Sequence, residues 1–119
     1  MRRVLIVDDN VAFRAAARQL LERRGFIVVA ESESGTDAVE DAKTHRPDLA
    51  LVDLQLPDFD GFEVAERFSR LDPAPKVILT SSLDGADFGA LVTSSSALGF
   101  IPKAELSASA IDALLAPTP

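Results

Sequence analysis

Pro-Asp-Leu-Ala-Leu-Val-Asp-Leu-Gln-Leu-Pro-Asp-Phe-Asp-Gly, residues 47–61, decides how this chain folds. Within it Leu49-Ala50-Leu51-Val52 is a continuous apolar run that stops at Asp53. A run this short, apolar at every position, reads as a strand buried on both faces. Pro57 to Gly61 reads as a turn. Towards the N-terminus the pattern recurs. Val4-Leu5-Ile6-Val7 is a second such run, and it stops at Asp8 and Asp9.

Between these strands the period changes. Phe13, Ala16, Ala17, Leu20 and Leu21 have the spacing of one helix face, with Arg14, Arg18, Glu22 and Arg23 on the other side. Asn10 is placed to cap this helix and Gly25 to stop it. Residues 26–30 read as a strand rich in β-branched residues. A short helix follows, opened by Thr36 and closed by His45-Arg46-Pro47. Towards the C-terminus, Val64, Ala65, Phe68 and Leu71 mark a third helix, ended by Pro73 and Pro75. Val77-Ile78-Leu79 forms a fourth strand leading into Thr80. Phe100-Ile101 belongs to a fifth, and Ser107 caps a last helix with Ile111, Leu114 and Leu115 inward. A fourth helix with Phe88, Leu91 and Val92 inward is expected to be short or mobile, because Gly85, Gly89 and the run Thr93 to Ser96 lower helix propensity. Strands alternating with helices in this way pair in parallel through right-handed crossovers, giving a doubly wound α/β fold.

The bulk numbers narrow the function. The 119 residues suffice for one domain, read as 1–116 with 117–119 as a tail or the start of a linker. The chain lacks cysteine, which leaves no disulfide framework or thiolate metal site. It has no apolar run long enough to cross a bilayer and no leader pattern, so a cytoplasmic location and no membrane partner are expected. A net charge of −7 repels phosphate backbones, and no direct nucleic acid contact by this domain is expected.

In a doubly wound sheet, ligands bind beyond the carboxyl ends of the strands. The residues that follow the strands are Asp8 and Asp9, Asp53, Thr80 and Lys103. Clustered carboxylates repel one another unless a cation is present, and Mg²⁺ is a hard, oxygen-seeking ion suited to them. An aspartate held there can act as a nucleophile towards a phosphoryl group, with the lysine and hydroxyl stabilising transferred charge. Each residue also has a plain structural reading. Asp8 and Asp9 can serve a helix N-terminus, Asp53 and Thr80 a loop, and Lys103 solvent, while Phe100 after Gly99 reads as core.

Taken together, Val-Asp-Asp-Asn at 7–10, the 47–61 stretch, Val-Ile-Leu-Thr-Ser at 77–81 and Gly-Phe-Ile-Pro-Lys at 99–103 resemble the response-regulator receiver family of two-component signalling. The resemblance implies a flavodoxin-like five-stranded parallel sheet in the order 2-1-3-4-5 with five helices. It implies Asp53 as phosphoacceptor, and Asp8 and Asp9 around Mg²⁺, with Asp9 favoured as direct ligand and the Gln55 backbone carbonyl as a further one. It also implies Lys103 pairing with the phosphoryl group, Thr80 as switch hydroxyl and Phe100 as switch aromatic. The partners it implies are a sensor histidine kinase and a homodimer through the face of the fourth helix, fifth strand and fifth helix. The Lys-Ala-Glu-Leu continuation after Pro102 resembles receivers that precede a helix-turn-helix DNA-binding domain. Such a module catalyses only its own phosphoryl transfer and dephosphorylation. Two rivals are a receiver used as a phosphorylation-independent interaction module and an aspartate-nucleophile hydrolase of the haloacid dehalogenase type. The hydrolase needs a second aspartate where this chain has Gln55.

Overall fold

The computed structural model describes residues 2–82 and 89–116. Residues expected in the tail (117–119), and Gly85 and Phe88 of the expected fourth helix, lie outside that range. The strands are β1 (Arg3–Val7), β2 (Ile27–Ser32), β3 (Leu49–Asp53), β4 (Lys76–Ser81) and β5 (Gly99–Pro102). The helices are α1 (Val11–Arg23), α2 (Gly35–His45), α3 (Gly61–Ser69), α4 (Gly89–Ser94) and α5 (Ala108–Leu115). All the strand pairs are parallel, and the sheet order is β2-β1-β3-β4-β5. This is the doubly wound, flavodoxin-like fold expected from the sequence.

The sheet is buried on both faces because its strands are apolar at both parities. Val4 and Ile6, Leu49 and Leu51, and Ile78 pack with Ala17, Leu21, Ile101 and Ile111 on the α1–α5 side. The alternate residues Leu5 and Val7, Ala50 and Val52, and Val77 and Leu79 pack with Ala38, Ala42, Val64, Ala65 and Phe68 on the α2–α3 side. No helix among the described residues is long and apolar enough to cross a membrane.

Local chemistry explains the helix ends. Asn10 accepts from the Phe13 N–H and caps α1, and Gly25, at φ +84°, follows its last turn. Ser107 caps α5 by accepting from the Ala110 N–H. For α2 the cap is Ser34, which accepts from Asp37 N, and not Thr36. Both residue types cap well, so propensity does not separate them; Thr36 instead bonds the loop after β3. Arg14 has a further task. It lies on the polar side of α1, yet its side chain is only 14% exposed and is bound at both ends.

Among the described residues α4 spans six, with none buried. The Thr93 and Ser94 hydroxyls donate to the helix carbonyls of Gly89 and Ala90, and Ser95 donates to Val92 O. Such back-bonding competes with helix continuation.

Phe68 is the largest fully buried side chain among the described residues, and it joins α3 to the sheet. Phe68→Ala is expected to lower unfolding free energy by about 3–5 kcal/mol, the usual cost of emptying a buried aromatic site. Urea midpoints of the two proteins check this, and a shift below about 1 kcal/mol would contradict the packing described.

Candidate phosphoacceptor site

Four side chains reach one edge of the sheet because they keep the parity of the α1–α5 face. Counting by twos, Val4 and Ile6 lead to Asp8, Leu49 and Leu51 to Asp53, Ile78 to Thr80, and Ile101 to Lys103. Parallel register puts Asp53 opposite Thr80, so the ends are level as well as in phase. Phe100 has the other parity. It pairs with Leu79 and packs half-buried against the α2–α3 cluster.

Asp8 and Thr80 are fully buried, and Asp53 is 5% exposed. Asp9, the first residue beyond the buried pair, is exposed. One carboxylate oxygen from each of Asp8, Asp9 and Asp53 lies within 4.8 Å of the others. Lys103 Nζ sits 2.7 Å from Asp8 Oδ2 and 3.5 Å from Asp53 Oδ2. Its contact with Asp8 is an ion pair without the alignment of a directed hydrogen bond. The same ammonium lies 4.4 Å from the centre of the Phe13 ring, so α1 supplies a cation–π contact from below.

Electrostatics follow from this crowding. Burial pushes the Asp53 carboxyl above its ordinary range, and the Asp8 charge adds to that. Lys103 and the Gln55 N–H, 3.3 Å from Asp53 Oδ1, oppose the shift without cancelling it. For Lys103 burial acts downward, but the short ion pair with Asp8 and the charge of Asp53 outweigh it and hold the ammonium above its usual value. Thr80 Oγ1 is buried with no hydrogen-bond partner among the described residues. An unpaired buried hydroxyl is costly unless something else supplies its partner.

Backbone contacts frame these groups. The Asp8 N–H donates to Ser32 O. Asp8 Oδ1 accepts from the Asn10 N–H, so this acid also serves the loop before α1 as its plain reading required. Leu54 N–H donates to Thr80 O, and Gly61 N–H donates to Leu54 O. Gly61 is needed because a Cβ there would come 2.6 Å from the Asp53 carbonyl oxygen. Gln55 itself is exposed.

Sequence reading overlooked two contributors. Arg14 donates to the Asp8 carbonyl and to Glu31, and no spacing rule marks an arginine for such a task. Asp58 accepts from the N-terminus of α2. Its position within the Pro57–Gly61 turn was visible, but its distant partner was not.

Comparison with known proteins agrees with this geometry. The response regulator receiver domain family matches residues 4–115. A Pseudomonas aeruginosa protein provisionally named a transcriptional regulator is 40% identical over 105 residues, covering 88% of this chain and 51% of that protein. The chemotaxis protein CheY of Bacillus subtilis is 38% identical over 81 residues, covering 68% of each chain. A LuxR-family two-component response regulator from Aurantimonas sp. SI85-9A1 superposes with a TM-score of 0.86 at 31% identity, covering 97% of this chain and 85% of that one. The chain spans about half the length of the Pseudomonas relative.

The raised Asp53 carboxyl has a consequence for stability. The folded state binds a proton there more tightly than the unfolded state, so the contribution of Asp53 to stability is greatest below the ordinary carboxylate range. It falls as pH rises from about 4 through the raised value. Without divalent ions, Asp53→Asn is expected to remove that part of the slope and to raise the melting temperature at pH 7. Thermal scans from pH 4 to 8 check this, and an unchanged slope would contradict the electrostatic reading. By its matching residues, fold and relatives, the chain belongs to the response regulator receiver family, a signalling module.

Proposed function

We propose that this domain accepts a phosphoryl group on Asp53 from a sensor histidine kinase and relays the change to an output surface. The observation that carries the reading is the juxtaposition of the buried Asp53 with Asp8, Asp9 and Lys103 at the carboxyl edge of the sheet. An Asp53 carboxylate oxygen attacks phosphorus. The phosphorus–nitrogen bond of the donor phosphohistidine breaks, and its electron pair returns to the imidazole.

The donor set is all oxygen and mostly anionic, which fits Mg²⁺ rather than a thiolate- or imidazole-seeking metal. Asp8, Asp9, Asp53 and the Gln55 carbonyl would hold the ion. When bound, it supplies positive charge that relieves carboxylate repulsion and offsets charge on the phosphoryl oxygens. Lys103 pairs with one phosphoryl oxygen, exchanging part of its contact with Asp8 and Asp53. Thr80 donates its unpaired hydroxyl to another, which gives that buried group the partner it lacks. Phe100 already has an apolar seat, and an inward ring carries no polar burial cost. Its inward position is therefore populated before phosphorylation, and phosphate shifts a shared population.

The domain occupies residues 1–116, works in the cytoplasm and makes no nucleic acid contact of its own. Output runs through α4, β5 and α5, where Leu91 and Leu98 are exposed, and takes the form of a homodimer.

Acetyl phosphate with Mg²⁺ is expected to add one phosphate to the wild-type protein by intact mass, and none to Asp53→Asn. Asp9→Ala is expected to stay folded and to lose most labelling. Labelling of Asp53→Asn would move the acceptor elsewhere, and an unchanged rate for Asp9→Ala would remove Asp9 from the metal site.

A further inference from the structure

The loop between β3 and α3 carries Gln55 and leads out of Asp53, yet it is seven residues of irregular backbone (54–60). Something must hold it if Gln55 is to present a carbonyl at a fixed place. We propose that Asp58 is a positioning residue for the phosphoacceptor site, tying this loop to the N-terminus of α2 and so fixing Gln55 and the backbone beyond Asp53. The inference rests on the roles assigned above to Asp53 and Gln55.

The tie is built from several contacts. Asp58 Oδ1 accepts from Gly35 N–H at 2.8 Å, and Oδ2 accepts from Thr36 N–H at 2.8 Å and Thr36 Oγ1 at 2.7 Å. Oδ1 also accepts from the Phe59 N–H at 2.9 Å, which locks the carboxylate to its own loop. Thr36 and the backbone N–H groups hold the Asp58 carboxyl far below the usual carboxylate range, so the anchor is charged at neutral pH. α2 has its own cap in Ser34, which serves Asp37. Asp58 takes the two N–H groups that Ser34 leaves, from more than twenty residues away.

Apolar contacts close the same joint. Gly35 lies so near the Phe59 ring that a Cβ there would come 2.4 Å from it. The other face of the joint is held by α3, whose Arg67 guanidinium stacks 4.3 Å from the Phe59 ring centre. The loop is therefore pinned at 58–59 by α2 and α3 and closed at its base, where Gly61 bonds Leu54 O and approaches Asp53 O, with Gln55 between Asp53 and Asp58. Releasing the Asp58 pin leaves Gln55 held from one side.

The experiment compares wild type, Asp58→Asn, Asp58→Ala and Ser34→Ala. Mg²⁺ affinity is measured by amide shift titration, and labelling by acetyl phosphate is followed against Mg²⁺ concentration. Asp58→Ala is expected to weaken Mg²⁺ affinity about tenfold, the scale of losing a ligand's supporting contact. Its labelling rate falls at low Mg²⁺ and recovers at saturating Mg²⁺. Asp58→Asn, which keeps one oxygen acceptor, falls in between. Ser34→Ala loses the α2 cap, and its melting temperature drops without a change in Mg²⁺ affinity. A Mg²⁺ affinity for Asp58→Ala within about twofold of wild type overturns the proposal. If that variant does not fold, Asp58→Asn decides by the same criterion. A wild-type protein that binds Mg²⁺ but takes no phosphate would instead overturn the function proposed for Asp53, and the affinity comparison would still judge Asp58.

Discussion

Two buried carboxylates, Asp8 and Asp53, share the end of one sheet, and a single ammonium, Lys103, lies between them. Much else in the structure answers to that crowding. Like charges at this spacing would drive one acid to protonate or the edge to open. The parallel sheet prevents opening, because β1, β3 and β4 are knit by regular ladders up to the acids themselves. Lys103 softens the repulsion without removing it, as the raised Asp53 carboxyl records. The edge is thus charged, largely buried and short of positive charge, and this imbalance makes it receptive to a cation and then to a phosphoryl group.

The sheet could not gather these residues if its parity failed. A one-residue slip in any strand would send its terminal side chain to the opposite face. Apolar residues at both parities lock the register from both sides, so the core that stabilises the domain also aims its site. Phe100 lies out of phase with Lys103, three residues on, and that places it with Leu79 rather than with the acids. A hydroxyl at Thr80 and a ring at Phe100 thus belong to opposite faces of adjacent strands. A movement of the β4 end would be felt on the side that carries α4.

Much of this was legible in the sequence. Apolar runs ending at Asp8, Asp53 and Thr80 gave strand ends and hence the edge, because burial on both faces leaves a plain compositional mark. Caps at Asn10 and Ser107 were readable since their partners are three residues away. The α2 cap was read at Thr36 instead of Ser34 because local preference is similar for both, and what separates them is Asp58, far along the chain. Arg14 was placed only on the polar side of α1, because helical spacing assigns a face, but not the β2 glutamate, Glu31, that approaches it.

What spacing did not show in these two cases has one physical cause, and both concern residues that hold the site without belonging to it. The groups at the strand ends announce themselves because chemistry needs their type at a place the fold defines. Supporting groups need only reach a backbone amide or carbonyl, and many side chains at many positions can do that. Arg14 takes the Asp8 carbonyl from the α1 side, and Asp58 takes the α2 amides beside the loop that follows Asp53. Each joins a neighbouring helix to the backbone next to an acid. The backbone beside each of the two acids that repel each other is therefore tied to a different helix, α1 or α2, and neither tie spends a charge from the Lys103 pair that keeps the acids together.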